Sequence, residues 1–275
     1  MNAQKKIREY WERVNGEQTW SYMDDSPQHL GGRIRAIWLK RLLREIDKNV
    51  SSKTFLDAGC AEGLFVVTMQ REAFFSVGCD ISLNLLSKNR SLFEKKSNLI
   101  LCSITNLPFK ENSFSVVLCS ETLEHIPNWK GALQELLRVA CVYLLITIPS
   151  YESFLANVVS FLGKFLGRDI RIEKEGRHIS IIRLRSILKT LHENDVLVKR
   201  IIASHAIYSF PQGYWPPFPS VRVSRSHYLS QILMGFFPNL KSFIQQLDLK
   251  YDEKLQRILV TFAGSIIILV SKTST

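Results

Sequence analysis

The residues best placed to do chemistry stand at the end of an apolar run near the first fifth of the chain. Residues 55–63 read Phe-Leu-Asp-Ala-Gly-Cys-Ala-Glu-Gly, which predicts a buried strand, an acid at its tip and a turn of small residues. Gly59 and Gly63 would let the backbone approach a ligand closely, because neither carries a Cβ. The glycine spacing differs from that of dinucleotide-binding turns, and Asp57 would repel a pyrophosphate. The turn therefore favours a cationic ligand.

A second acidic residue stands at the end of the next predicted strand. Asp80 follows the apolar run 74–79, about 20 residues beyond the turn. A carboxylate in this position can accept both hydrogen bonds from a ribose diol, so Asp80 indicates a nucleoside ligand without identifying it. In the alternative interpretation, Asp80 caps the helix predicted over residues 83–93.

The elements that must position these acids alternate between strand and helix. Parallel strands joined by crossover helices are typical of this pattern, and their ligands bind outside the carboxyl ends of the strands. Two helices near 3–14 and 28–48 precede this core and could form a lid. Strands are predicted over residues 54–57, 74–79, 98–102, 115–119, 142–148, 196–203 and 265–271, and later helices near 151–166, 184–192, 226–246 and 252–261.

The composition excludes some classes of protein and leaves others open. The chain has 275 residues, 46% of them hydrophobic, and a net charge of +11, which favours an anionic partner such as nucleic acid, a membrane surface or a phosphorylated metabolite. We expect a cytoplasmic protein, because the sequence shows no signal peptide and no apolar run of the ~20 residues that a membrane span requires. No metal site is expected, because the five cysteines form no CxxC pair and the acids and histidines no recognisable ligand set.

Further motifs follow the turn at residues 56–60. They read Asn-Leu-Pro-Phe-Lys-Glu-Asn-Ser-Phe-Ser-Val-Val at 106–117, Glu-Thr-Leu-Glu-His-Ile-Pro at 121–127, Glu-Leu-Leu-Arg-Val at 135–139 and Ile-Thr-Ile-Pro-Ser at 146–150. Together the motifs resemble the class I S-adenosylmethionine-dependent methyltransferases, and most nearly the type-11 group. The resemblance implies an α/β, doubly wound, Rossmann-like fold with a mostly parallel seven-stranded sheet whose last strand is antiparallel.

The resemblance also implies S-adenosylmethionine as the cofactor and assigns residues to it. Asp57, Gly59 and Gly63 would surround the methionine and ribose portions, Asp80 would bind the ribose hydroxyls and Ile81 would lie against the adenine. The other implied cofactor-site residues are Cys60, Ala61, Ser103, Ile104, Ser120 and Glu121.

Two positions depart from the family pattern. Ala61 stands where a third glycine is usual, and Ser103 where aspartate is usual. A serine hydroxyl can still accept a hydrogen bond from the adenine amino group, although a neutral acceptor is weaker than a charged one. Both departures lower the cofactor affinity that we expect.

Two histidines are candidates for catalysis. Methyl transfer from a sulfonium needs an in-line nucleophile, and alignment with exclusion of water can supply much of the acceleration. His125 could accept a proton from a hydroxyl or amine nucleophile, or could instead orient its loop. His178 resembles a histidine that family members often carry near the acceptor pocket.

The predicted elements divide the chain into four parts. These are an N-terminal helical lid (1–50), a cofactor-binding core (51–205), an aromatic and helical insertion on the acceptor side (206–263), and the last strand with a tail (264–275). The insertion includes a proline-rich aromatic loop at 208–219 that cannot be regular helix.

This insertion favours a hydrophobic or lipid-linked small-molecule acceptor, and it could lie on an anionic membrane surface. Nucleic acid is a weaker expectation, because the sequence shows no RNA-binding module. The alternatives are a non-catalytic S-adenosylmethionine-binding scaffold, an RNA or protein methyltransferase, and a nicotinamide-dependent dehydrogenase.

Overall fold

A computed structural model describes residues 30–92, 98–150, 179–204 and 265–272, together with Glu9. Within these ranges, strands and helices alternate as the sequence predicts. The elements are α1 (Leu30–Asp47), β1 (Thr54–Ala58), α2 (Leu64–Arg71), β2 (Phe75–Asp80), α3 (Leu83–Leu92), β3 (Asn98–Leu101), β4 (Phe114–Ser120), a 3-10 turn (Leu123–His125), α4 (Trp129–Val139), β5 (Ala140–Pro149), α5 (Leu184–His192), β6 (Leu197–Ser204) and β7 (Ser265–Ser271).

The seven strands form one sheet in the order β3-β2-β1-β4-β5-β7-β6. Strands β1 to β5 pair in parallel, and β7 pairs antiparallel with both β5 and β6. The doubly wound, mostly parallel sheet with an antiparallel last strand is therefore confirmed. Each predicted strand lies within two residues of the observed one. The predicted insertion at 206–263 lies outside the described residues.

Both faces of the sheet are covered, which explains why its central strands are apolar throughout. On one face, α4 and α5 contribute Leu136 and Ile187 to a core that also contains Val117 of β4. On the other face, α1 and α2 pack against the sheet, and Leu39 of α1 lies in one cluster with Val116 of β4. Successive β4 residues point to opposite faces, as the pleat of a strand requires.

Helix α1 packs into this core along much of its length. Ile34, Trp38, Leu42 and Ile46 recur at helical spacing and are all buried in the cluster beneath the sheet. Only the part of residues 1–50 before α1 could therefore act as the predicted lid. Apart from Glu9, this part lies outside the described residues.

An ion pair joins α4 to the loop before β4. The Arg138 guanidinium donates to the carbonyl oxygens of Phe109 at 2.7 Å and Leu107 at 3.1 Å, and it pairs with the Glu135 carboxylate at 2.7 Å. Glu135 Oε2 in turn accepts the Leu107 N–H at 2.9 Å. Two of the motifs quoted above, at 106–117 and 135–139, are thus halves of one structural contact, and this contact fixes the chain as it enters β4.

We predict that Arg138→Met lowers the free energy of unfolding by ~1–3 kcal/mol, because two backbone carbonyls and a carboxylate lose a charged donor. Urea unfolding followed by circular dichroism measures the change. Arg44→Met is the matched control, since Arg44 also pairs with a glutamate, Glu72 at 3.1 Å, but has a side chain that is 70% exposed. Its effect should stay below about 0.5 kcal/mol. Equal losses in both variants would contradict this role for Arg138.

Candidate active site

The carboxyl ends of β1 and β4 meet where the order of the strands reverses. The chain leaves β1 toward β2 on one side of the sheet, and β4 lies on the other side of β1. Crevices of this kind are where open α/β sheets bind ligands. The turn after β1 and the loop after β4 approach so closely that a Cβ on Gly59 would collide with the Thr122 side chain.

The turn after β1 depends on left-handed backbone conformations. Gly59 has a φ of 83° and Gly63 a φ of 84°, a region that glycine enters without steric cost. The N–H groups of Gly59 and Cys60 both donate to the Cys79 carbonyl, at 2.8 and 3.0 Å, which ties the turn to the end of β2. Ala61 also has a positive φ, 46°, although it carries a Cβ. The turn therefore has the left-handed backbone that its glycines permit, and the close approach of Gly59 is to the Thr122 side chain.

Asp57 is a buried acid at the tip of β1. Asp57 is only 3% exposed. Burial, together with the negative charge of nearby Asp80, raises the pKa of the Asp57 carboxyl group to about 8. A cationic neighbour would stabilise the ionised form of such an acid and lower its pKa.

Asp80 organises the loops that follow β1 and β2. Its Oδ2 accepts the Ala61 N–H at 3.0 Å and its Oδ1 accepts the Ser82 N–H at 2.9 Å. The helix cap is Ser82, whose hydroxyl oxygen accepts the Leu85 N–H at 3.3 Å. The Asp80 carboxylate therefore bridges the two loops at the carboxyl edge.

The ends of β2 and β3 carry the residues that the resemblance assigns to the adenine. Ile81 is half-buried after β2, and Ile104 is 4% exposed within the core. The Ser103 hydroxyl lies 2.9 Å from the Thr105 hydroxyl, so part of its hydrogen-bonding capacity is used inside its own turn. Cys60 is buried, and burial raises the pKa of its thiol, which keeps it uncharged.

Glu121 joins four elements at the end of β4. Its Oε1 accepts hydrogen bonds from Ser265 at 2.6 Å and Thr147 at 3.1 Å, and its Oε2 lies 3.6 Å from the buried Arg35 guanidinium of α1. The Ser120 hydroxyl lies 3.0 Å from that of Thr147. Glu121 also has a φ of 50°. These contacts commit its carboxylate to protein groups, and its assignment to the cofactor remains a prediction.

The 3-10 turn after β4 carries one predicted residue and one that the sequence reasoning missed. His125 is 9% exposed, and its Nε2 lies 3.9 Å from Oε1 of Glu124, which is fully buried. A carboxyl group within the Leu-Glu-His-Ile run was a signal available in the sequence. His178 lies outside the described residues, but the next residue, Ile179, donates its N–H to the Glu124 carbonyl at 3.0 Å.

The predicted site residues that the structure describes lie along one edge of the sheet. Asp57, Gly59, Cys60, Ala61, Gly63, Asp80, Ile81, Ser103, Ile104, Ser120, Glu121 and His125 all follow or end strands β1 to β4. Among the described residues, no group of three or more His, Cys, Asp or Glu side chains is arranged to hold a metal ion. In the same part of the chain, no helix has the length and hydropathy to cross a membrane.

Comparisons with known proteins bear on this edge of the sheet. Residues 56–141 match the family model described as a methyltransferase domain. An uncharacterised protein of Methanocaldococcus jannaschii is 39% identical over 98 residues, which cover 36% of this chain and 40% of the relative. A demethylmenaquinone methyltransferase of Corynebacterium kroppenstedtii is 24% identical over 152 residues, covering 51% of this chain and 65% of the relative. Each alignment thus spans less than two thirds of the relative.

The fold is also found among solved structures. Magnesium protoporphyrin IX methyltransferase from Synechocystis PCC 6803, crystallised with bound SAH, superimposes with a TM-score of 0.60 over 99% of this chain and 100% of its own, at 14% identity. Identity this low supports a shared fold and no more. The family match and the strand order agree, and residues 56–141 of this chain are similar to the methyltransferase domain that the family model describes.

Proposed function

We propose that this protein transfers a methyl group from S-adenosylmethionine to a small-molecule acceptor that is hydrophobic or lipid-linked. The single observation that carries the cofactor assignment is the placement of Asp57 and Asp80 at the carboxyl ends of the paired strands β1 and β2, beside the glycine turn. S-adenosylmethionine, when bound, supplies an activated methyl group on a sulfonium cation, and it also carries an ammonium group and a ribose diol. We assign Asp57 to the cationic methionine portion and Asp80 to the ribose diol.

The described residues fit this cofactor in type and in place. The turn with Gly59 and Gly63 brings backbone close to the ligand, as the methionine and ribose portions require. Asp80 holds both loops through backbone N–H groups, which fixes its carboxylate at the edge where we propose that the ribose binds. Residues proposed to complete the cofactor site are Asp57, Cys60, Ala61, Ile81, Ser103, Ile104, Ser120 and Glu121.

Alignment and exclusion of water are the main catalytic effects that we propose for the protein. The Gly59 turn and the Thr122 loop close on each other from β1 and β4, which leaves little room for solvent between them. His125, on the same loop, is the described side chain that we propose for contact with the acceptor. We propose a similar place for His178, because Ile179 is held at the Glu124 carbonyl.

The proposed acceptor class has two supports. Several relatives that match over part of the chain are named demethylmenaquinone methyltransferases, and demethylmenaquinone is a lipid-linked small molecule. The net charge of +11 would also favour contact with an anionic membrane, where such a molecule is found.

A second candidate is a protein that binds the cofactor without catalysing methyl transfer. Ala61 places a Cβ in the left-handed region where the family usually has glycine, and the Ser103 hydroxyl is partly used by Thr105. Both features would weaken cofactor binding without preventing it. Measuring binding and turnover separately distinguishes the two candidates.

We predict that calorimetric titration with S-adenosylmethionine or S-adenosylhomocysteine shows saturable binding, and that Asp80→Asn weakens it about 10- to 100-fold. The reason is that hydrogen bonds to a charged acceptor contribute ~1.5–3 kcal/mol. Glu193→Gln removes the same charge at an exposed position after α5 and should change the affinity less than 2-fold, by about 0.4 kcal/mol at most. No binding to the wild type at millimolar ligand would exclude the proposed cofactor.

For the acceptor, we predict that label from S-adenosylmethionine with a tritiated methyl group enters an organic extract when demethylmenaquinone in detergent micelles is supplied. We expect this result because the proposed acceptor site is hydrophobic, and the methylated quinone would partition into the organic phase. Total RNA and a mixture of unmodified proteins serve as competing acceptors in parallel reactions. Label in RNA or protein, but not in the extract, would replace the lipid-linked acceptor with the macromolecular alternative.

Asp57→Asn should have opposite effects on stability and on binding. Because the native Asp57 pKa is raised from 3.8 to about 8, its proton is retained in the folded state and lost from the unfolded state across that interval. The wild type therefore loses ~1.4 kcal/mol of stability per pH unit from this group as the pH rises from about 4 to about 8. The asparagine variant escapes this loss.

Unfolding in urea at pH 5 and pH 8 measures the effect. We expect Asp57→Asn to gain stability relative to the wild type by a few kcal/mol more at pH 8 than at pH 5, while its affinity for S-adenosylmethionine falls. In the wild type, the affinity should rise with pH up to about 8, because the ionised Asp57 attracts the cationic ligand. A stability difference that does not depend on pH would contradict the raised pKa.

A further inference from the structure

Residues other than glycine with a left-handed φ occur at both edges of the sheet. Among the residues that the structure describes, they are Ala61, Ala73, Asn112, Glu121 and Asp195. Three of them lie in turns that lead into β2, β4 and β6, at the amino edge. Ala61 and Glu121 instead follow β1 and β4, on the two sides of the crevice where we place the cofactor. Backbone strain that the surrounding structure maintains is often part of a functional site.

The side chain of Glu121 holds its own strained backbone in place. A φ of 50° is unfavourable for a residue with a Cβ and would suit glycine. Glu121 Oε1 accepts hydrogen bonds from the hydroxyls of Ser265 at 2.6 Å and Thr147 at 3.1 Å, and Oε2 lies 3.6 Å from the Arg35 guanidinium. The Glu121 N–H donates to the carbonyl and the hydroxyl of Thr147, at 3.1 and 2.9 Å. A glycine at this position would keep only the main-chain contacts.

The partners of the Glu121 carboxylate are buried and come from three elements. Thr147 of β5 is 0% exposed, Ser265 of β7 is 1% exposed and Arg35 of α1 is 6% exposed. A buried ion pair is weak evidence for stability, because the removal of both charges from water offsets much of their attraction. Hydrogen bonds are directional, however, so these contacts restrict Glu121 to one conformation.

The conformation of Glu121 determines where Thr122 lies. Across the turn, the Thr122 hydroxyl donates to the Ser120 carbonyl at 3.0 Å. In this position, the Thr122 side chain is so close to the turn after β1 that a Cβ on Gly59 would overlap it. If Glu121 left the left-handed region, the chain would direct Thr122 elsewhere and the separation of the two loops would change. The shape of the crevice therefore depends on Glu121.

We propose that Glu121 is a positioning residue, whose anchored carboxylate keeps the left-handed turn after β4 and thereby fixes Thr122 against the Gly59 turn. The inference rests on the proposed function, because S-adenosylmethionine is placed at the edge where these two loops meet. Glu121 then completes the cofactor site through Thr122, without touching the ligand. A loop that is already in place loses little conformational entropy when the ligand binds, and this preorganisation favours binding.

Glu121→Gly tests this role, because glycine accepts the left-handed φ but has no carboxylate. Calorimetric titration with S-adenosylhomocysteine measures the Kd, and circular dichroism shows whether the variant is folded. We expect the affinity to fall about 10-fold or more, since a displaced loop must be ordered again on binding. Glu121→Gln should stay within about 3-fold of the wild type, because its amide oxygen can still accept from Ser265 and Thr147. If Glu121→Gly does not fold, Arg35→Met/Glu121→Gly takes its place, since it removes both members of the ion pair.

Asn112→Gly is the matched control. Asn112 has a φ of 54°, its Oδ1 accepts a hydrogen bond from Lys272 at 2.7 Å, and it lies before the other end of β4. The variant thus also replaces an anchored left-handed residue by glycine, but at the amino edge of the sheet. Its affinity for S-adenosylhomocysteine should stay within about 2-fold of the wild type. Equal losses of affinity in the two glycine variants would indicate a general effect on the fold and overturn the proposal.

A double-mutant cycle with Thr122 tests the route of the effect. If Glu121 acts through Thr122, Thr122→Ala should weaken binding in the wild type and add little in Glu121→Gly, because coupled residues are not additive. A merely structural role for Glu121 predicts no such coupling. Fold-changes that multiply, or a Thr122→Ala variant that binds as the wild type does, would contradict the proposal.

The same titrations separate this inference from the proposed function. A wild-type protein that binds no S-adenosylhomocysteine would remove the proposed function and this inference with it. A wild type that binds, together with a Glu121→Gly variant that keeps its affinity within about 2-fold, would remove the inference alone.

Discussion

The close approach of the turn after β1 to the loop after β4 is the constraint on which the rest of the site depends. A side chain at Gly59 would occupy the space of Thr122, and a φ of 83° is open to glycine at little cost. Because β1 and β4 are neighbours in parallel, their carboxyl ends must meet at this edge. The buried acids of both strands therefore lie along one crevice, and a single glycine allows it to form.

Three acids at this edge lie in three different environments. Glu121 is satisfied by Arg35, Ser265 and Thr147, and it acts as a structural connection between β4, β5, β7 and α1. Asp57 has a raised pKa and would be compensated by a cation. Glu124 is fully buried, and burial, together with the Glu121 carboxylate, raises its pKa well above the ordinary value. The three carboxyl groups thus differ in their environments rather than in their chemistry.

The strands and the positions of Asp57 and Asp80 at their ends could be predicted from the sequence, for a physical reason. Alternating apolar runs with turns determine a parallel sheet, and Asp57 and Asp80 fall at strand ends, where a parallel sheet must bring them together. The partners of Glu121 could not be predicted in this way, because Ser265 is 144 residues away in sequence and meets it only through the antiparallel β7. Sequence reasoning did not single out Glu124, because only the packed structure shows that this residue is fully buried and that its carboxyl oxygens lack hydrogen-bond partners among the described residues.

The two positions that depart from the family pattern affect the site differently. Ala61 keeps the left-handed backbone that glycine would adopt, at a cost of roughly 1–2 kcal/mol, and its N–H is held by Asp80 at 3.0 Å. The bond to Asp80 offsets part of this strain, so the backbone follows the path that the ligand requires. Ser103 instead changes the chemistry, since its hydroxyl already meets Thr105 and replaces a charged acceptor by a neutral one. With the cofactor placed as we propose, these two residues together predict weaker binding of the adenine, which would affect cofactor affinity more than the alignment of the methyl group.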